Sequence, residues 1–347
     1  VTRRALWVVP VSNLAGVARH VLDAAKQGLP GYNLEVAGPA GPLLEELTKL
    51  SVPVHPVALD GNPAKAVRAL RSVIQSVKPA VVHSHLAKAD FLTAAATPGL
   101  PCKVVSTEHG IAADAQLYNR GILKASARKL LHHFRSRRFD TLIAESESTK
   151  REMIRAWRPA TQIDVILNGV NRPAGIVREP GTRFLSLARL APEKRISNAI
   201  DAFATAAEDL PSASLTVAGD GPERGALIAQ AQSLGIADRV RFPGYLAADK
   251  ALASHDVLVQ LSAWENASYS ILDAVAHGLG VVATPVGGNT EILPDHCLTD
   301  AADTDRVARL LRGQATDVSM RPTLTESWPT VSDMTKQIAA LYERLMR

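Results

Sequence analysis

Phe184-Leu185-Ser186-Leu187-Ala188-Arg189-Leu190-Ala191-Pro192-Glu193-Lys194-Arg195, continuing to Glu208, changes its period midway. A four-residue apolar run, Phe184–Leu187, passes into a loop rich in cations and then into a helical pattern from about Ser197 to Glu208. An apolar run this short and unbroken reads as a strand buried on both faces, as in a parallel sheet covered by helices.

The same unit recurs in both directions along the chain. Before it come Ala5–Val11, Leu34–Ala37, Val54–Val57, Ala80–His83, Lys103–Thr107, Thr141–Ala144 and Ile163–Leu167. After it come Ser214–Ala218, Val240–Phe242, Val257–Leu261 and Val281–Thr284. Strand alternating with helix predicts an α/β chain of doubly wound, Rossmann-like sheets. Two prolines and two glycines between Asn171 and Gly181 predict a break in the middle. The expected domains are 1–172, a linker at 173–181, and 182–325. Residues 326–347 form a last helix, Val331–Met346, expected to cross back to the first domain.

The 347 residues suit two domains, and 46% hydrophobic with 21% charged residues supplies a packed core and excludes disorder. Thr2-Arg3-Arg4 before Ala5–Val9 resembles a short signal peptide, but Pro10, Ser12 and Arg19 follow, and a first buried strand explains the run better. No unbroken apolar segment reaches the roughly 20 residues that span a bilayer. Two distant cysteines, Cys102 and Cys297, give neither a disulfide framework nor a zinc spacing, so a reducing cytoplasm is expected. The net charge of +5 is uneven: residues 1–175 hold 23 Lys/Arg against 13 Asp/Glu, and acids dominate the rest.

Ligands of doubly wound sheets bind off the C-terminal strand ends, and with two sheets the cleft between them is the default site. Arg189 and Lys194 follow a strand and precede a helix, a setting that favours an anion, although a solvated loop fits equally. Gly219 and Gly221 allow either close ligand approach or a plain turn, and the backbone at Gly244 could read a base edge. In Trp264–Val275, Ser268 is the candidate N-cap, Glu265 lies in the loop and Asp273 in the second helical turn. Amides from Ala267 to Ser270 suit phosphate or sugar oxygens, and an early-helix carboxylate suits a ribose diol. Asn266 and Leu272 complete this donor-binding set.

In order and spacing, Arg189-Leu190 with Lys194, Gly219-Asp220-Gly221-Pro222, Glu265 with Asp273, and Gly278–Ile292 resemble a family 4 retaining glycosyltransferase of the GT-B architecture. The resemblance covers nearly the whole chain and is sharpest from 184 to 292. It implies that Arg189 and Lys194 hold the donor diphosphate, that Glu265 touches the donor sugar, and that Asp273 binds ribose. The family normally has Glu at the last position, and Asp shortens the reach by one methylene. Asn266-Ala267-Ser268 also departs from the usual glycine-rich triplet, so the donor sugar is not inherited. Leu14–His20 resembles the family's glycine loop with Ala15 and Ala18 in place of Gly and Glu, which leaves Gly16 for backbone approach. Arg19 and His20 read either as site residues or as an ordinary helix face. His109, after the strand Lys103–Thr107, matches the family's histidine near the reacting bond, and Asn168-Gly169-Val170 resembles its interdomain turn.

From Ala115 to Phe139 no acid occurs, while Arg128, Lys129 and Arg135 stand among apolar residues. That pattern suits a helix on an anionic membrane, a phosphate-rich acceptor, or a helix packed on the sheet. With 4% aromatics, nucleic acid is not expected as a partner. Asp303 and Asp305 have the spacing of a metal-binding pair but read as a cap for the helix Arg306–Leu311. The expectation is a metal-independent transferase with no cofactor. It takes a nucleoside diphosphate sugar, UDP favoured over GDP, and a lipid-linked or phosphorylated saccharide acceptor in bacterial envelope synthesis. It is expected to be cytoplasmic, with a peripheral place on the membrane's inner face open. The alternatives are a sugar-nucleotide epimerase or phosphorylase on the same fold, and a binding protein that has lost catalysis.

Overall fold

The structure is a computed structural model and describes residues 2–110, 132–176 and 178–347. Every strand expected from the apolar runs forms, with no end moved by more than three residues. In the first half these are β1 (Arg3–Val8), β2 (Tyr32–Gly38), β3 (Val54–Pro56), β4 (Val81–His85), β5 (Lys103–Glu108), β6 (Thr141–Ala144) and β7 (Ile163–Val165). In the second half they are β8 (Arg183–Leu187), β9 (Ser214–Ala218), β10 (Val240–Gly244), β11 (Val257–Gln260) and β12 (Gly280–Ala283).

The chain divides into two compact units, Val1–Gly169 with Pro329–Arg347, and Val170–Trp328. The first unit holds a seven-stranded sheet in the order β3-β2-β1-β4-β5-β6-β7, parallel throughout. The second holds a five-stranded parallel sheet, β10-β9-β8-β11-β12. β1 shows why the strands read as unbroken apolar runs. Ala5 and Trp7 pack into one layer, with the helix Gly16–Gln27 and the last helix; Leu6 and Val8 pack into the other, with the helix Pro63–Val77. Both faces are dry, so no residue of the strand core is polar.

Residues 173–181, set apart as a linker by their prolines and glycines, are bound into the second unit. Arg178 donates to the carbonyls of Leu252, His255 and His277, and the Gly181 amide donates to Ala315 O at 2.8 Å. The chain changes unit at Gly169, where a Cβ would meet Thr330 O at 2.4 Å. From there Val331–Met346 lies on the first unit and buries Met334, Ile338, Leu341 and Tyr342 in its core. A capping box between Thr330 and Asp333 fixes its start.

Reversals of strand order matter most for ligands. In the first unit the chain runs outward from β1 through β2 to β3, then returns to β4 on the other side of β1. In the second it runs from β8 through β9 to β10 and returns to β11. The loops after β1 and β4, and after β8 and β11, therefore flank the two crevices.

Candidate functional site

In the second unit the crevice is made by the loops after β8 and β11. After Leu187 the chain makes a short 3-10 turn, Pro192–Lys194, and passes through Arg195 at φ 47° into the helix Ile196–Glu208. The turn is tied across: Ala263 N–H donates to Glu193 O at 2.7 Å, and Leu190 N–H to Asp220 O at 2.9 Å. This brings Lys194 Nζ to 2.5 Å from Glu265 Oε1. The same carboxylate oxygen accepts from Gln260 Nε2 at 2.9 Å, and Trp264 lies beside the ammonium group at 6.0 Å. Lys194 and Glu265 are 21% and 12% exposed, so the pair is largely desolvated. Arg189 pairs with Glu193 and stays 65% exposed, free to swing its guanidinium.

Ser268 is the N-cap of the helix Tyr269–Ala276, its hydroxyl accepting from Ile271 N–H at 3.5 Å and exchanging hydrogen bonds with Gln260. Asp273 is buried in that helix's second turn, and Asn266 and Ala267 are buried in the loop before it. The loop is held by Gly287 and Gly288. A Cβ on Gly287 would sit 1.7 Å from Glu265 O, and one on Gly288 would sit 2.4 Å from Asn266 O.

Two donor-site expectations need correction. Leu272 is fully buried and its amide donates to Ser268 O at 3.0 Å, so neither its side chain nor its N–H is offered to a ligand. The missing side chain of Gly219 makes room for the chain itself: a Cβ would meet Ala188 O at 1.9 Å, and its amide donates to Gly244 O at 2.8 Å. Gly244, at φ 79°, has open space where its Cβ would point. Asp303 caps the helix Thr304–Thr316 by accepting from Arg306 N–H at 3.0 Å.

In the first unit, histidines gather at the crevice. Gly16 opens the helix Gly16–Gln27 without a side-chain cap and with space around its Cα. Arg19 pairs with Asp23 one turn on, at 2.6 Å. His20 turns inward and is buried, as are His83 and His85 at the end of β4. His109, just past β5, has a side chain only 4% exposed. Its Nδ1 lies 2.7 Å from Glu145 Oε1, and its Nε2 lies 2.8 Å from Nδ1 of His85. His20 Nδ1 is 3.2 Å from Asn168 Oδ1. His83 links Thr107 to the Tyr342 hydroxyl, which accepts from Trp7 Nε1 at 3.0 Å. Burial lowers the pKa of His20 to about 4 and pushes those of His83 and His85 well below the usual histidine value. At neutral pH these three rings are uncharged.

Arg135, expected on a membrane- or acceptor-facing surface, is instead 5% exposed. Its guanidinium lies 2.7 Å from Asp90 and 3.4 Å from Glu108, stacked near Phe91 and Trp157. Two buried carboxylates drew the cation inward. Arg128 and Lys129 lie outside the described residues.

Sequence reasoning did not single out Glu145, His85, Gln260 or Trp264. The one usable signal was His83-Ser84-His85, two histidines on the same face at the end of a strand.

Comparison with known proteins adds three findings. Residues 14–172 match the family model Glycosyltransferase Family 4, and residues 171–317 match Glycosyl transferases group 1. Among curated proteins, the chain is 30% identical over 230 residues to the glycogen synthase of Mycobacterium tuberculosis, covering 62% of this chain and 54% of that protein. It is 25% identical over 308 residues to a phosphatidylinositol N-acetylglucosaminyltransferase component of Arabidopsis thaliana, covering 80% and 65%. The match thus spans about half to two thirds of these relatives. Among solved structures, Anabaena HepE in complex with UDP and glucose superposes with a TM-score of 0.76 at 19% identity, covering 99% of this chain and 97% of that one. Among the described residues no helix is long and apolar enough to cross a membrane.

Proposed function

From a GT-B fold whose two halves each match a glycosyltransferase family model, we propose that this chain transfers a sugar from a nucleoside diphosphate sugar with retention of anomeric configuration. The observation that carries the reading is the Lys194–Glu265 pair, which joins the loops after β8 and β11 beside the N-terminus of Tyr269–Ala276. A cation, a carboxylate and a helix N-terminus converge there, as a sugar diphosphate requires.

In this reading Lys194 exchanges Glu265 for the donor diphosphate, and Arg189 swings from Glu193 to join it. The released Glu265 accepts hydrogen bonds from the sugar hydroxyls, and Gln260 keeps it in place. Asp273 takes the ribose. The acceptor oxygen attacks the anomeric carbon from the side the diphosphate leaves. The carbon–oxygen bond to phosphate breaks, its electron pair departs with the diphosphate, and the phosphate oxygen takes the acceptor's proton. Fixed cations aimed at that charge lower the barrier without reorganising. His109, oriented by Glu145, steadies the sugar as positive character grows. No step needs a metal, so activity should persist in chelator.

UDP is favoured as the donor base. A lipid-linked or phosphorylated saccharide in bacterial envelope synthesis is the proposed acceptor, supported by the basic balance of the first half. The test is thermal unfolding with UDP, GDP and dTDP, then their sugars, followed by NMR of the transferred linkage. A cognate nucleotide raises the melting temperature by mass action. No shift with any nucleotide, or an inverted linkage, rules the proposal out.

A further inference from the structure

The histidines of the first unit form more than one positioned side chain. His20 comes from the helix after β1, His85 from the end of β4 and His109 from just past β5, so neighbouring strands β1, β4 and β5 deliver one ring each. One ring nitrogen from each lies within 4.8 Å of the other two. We propose that His20, His85 and His109 form a binding site for a divalent transition-metal ion of the zinc class.

Two features point that way. First, the outer atoms are arranged as they are around bound metals. A liganding histidine donates its other N–H to a carboxylate or carbonyl. His109 Nδ1 faces Glu145 at 2.7 Å and His20 Nδ1 faces the Asn168 carbonyl oxygen at 3.2 Å, which leaves both Nε2 atoms to point elsewhere. Second, two of the nitrogens already converge: His85 Nδ1 and His109 Nε2, from the ends of neighbouring strands, lie 2.8 Å apart.

A metal takes the place of the hydrogen bond between these two nitrogens. With its proton moved to Nε2, His85 presents Nδ1 to the ion beside Nε2 of His109, and no proton need be lost. Zinc–nitrogen bonds of about 2.0–2.1 Å put tetrahedral ligand nitrogens about 3.4 Å apart, so the present spacing needs ring shifts on the order of 1 Å. Glu145 offsets part of the dication's charge, and three nitrogens leave a fourth position open. Imidazole sets of this kind suit zinc, copper, nickel and cobalt rather than magnesium or calcium.

The test is a titration of the full chain, free of any histidine tag, with Co²⁺, followed by the visible absorption of four- or five-coordinate cobalt. Saturation at one equivalent is expected, with displacement by Zn²⁺. His85→Gln and, independently, His20→Asn should each weaken binding by at least about 10–100-fold, and Glu145→Gln by about 10-fold, as loss of an outer-shell partner does. The surface control His55→Gln should leave it unchanged. If one inner variant fails to fold, the other still reads the site. Absence of saturable absorption in the wild-type chain overturns the proposal, and so does wild-type affinity in both His85→Gln and His20→Asn. His109 is shared with the donor reading above, so the readout is bound metal and not turnover.

Discussion

At the scale of single residues, what decides function is which charges find partners at home. Arg135 is the clearest case: a basic run suggested a surface, but Asp90 lies buried in the helix Leu86–Ala96 and Glu108 at the end of β5. Burial raises the pKa of Glu108 to about 7 from 4.5 despite the guanidinium. A carboxyl raised on folding stabilises most below its unfolded value, and that contribution is lost as pH climbs through the folded one. Wild-type stability should therefore carry a component that falls between pH 4.5 and about 7. His20, lowered to about 4, contributes with the opposite sign over an overlapping range, so the wild-type curve alone does not separate them. Urea unfolding of Glu108→Gln against wild type isolates the component: the variant should gain relative stability as pH rises through that window. A second residue-scale expectation concerns Gly287. At φ 55° and with Glu265 O in the way of a Cβ, Gly287→Ala should cost at least ~2 kcal/mol by denaturant unfolding, since the left-handed strain alone is ~1–3 kcal/mol. Nothing in local sequence distinguishes such packing glycines from ligand-facing ones. Gly219 and Gly287 look alike on paper, and only the loop brought against each one, at Ala188 and at Glu265, reveals its use.

Elements were the most legible layer. A run such as Val257–Gln260 is apolar at nearly every position because helices cover both sides of the sheet, and that cause acts on the sequence directly. The cap at Ser268 and the cap at Asp303 were readable for the same reason: a short polar side chain before an apolar helical period has one economical use. Asp303→Ala should cost ~1 kcal/mol of stability, and Asp303→Asn far less, in thermal or urea unfolding. A larger metal-dependent change would instead revive the acid pair Asp303 and Asp305 as a ligand set. The boundary near 170 was less legible. Prolines and glycines marked 173–181, but Arg172 and Arg178 hold that stretch by donating to carbonyls of residues far along the chain. Such contacts have no local signature.

At the scale of the molecule, the two units repeat one plan: a parallel sheet whose strand order reverses beside its first strand, with reactive side chains at that reversal. In the second unit the cluster is ionic, Lys194 with Glu265 and Arg189 with Glu193. In the first it is a set of imidazoles with Glu145. The ionic half was visible in sequence because its residues lie in two short stretches. Of the histidine half only His20 and His109 were singled out, because the set is assembled from one helix and the ends of two strands spread over 89 residues. The account expects transfer to run in excess chelator, and a loss of activity restored by Mg²⁺ would contradict that part of it.

The central claim is that Arg189 and Lys194 grip a pyrophosphate. Calorimetric titration of UDP into the wild-type chain and into Lys194→Ala, with uridine as the control ligand, tests it most directly. The account predicts that UDP affinity falls by about 30- to 1,000-fold, ~2–4 kcal/mol, while uridine binding is unchanged. Equal UDP affinity in both proteins would contradict it.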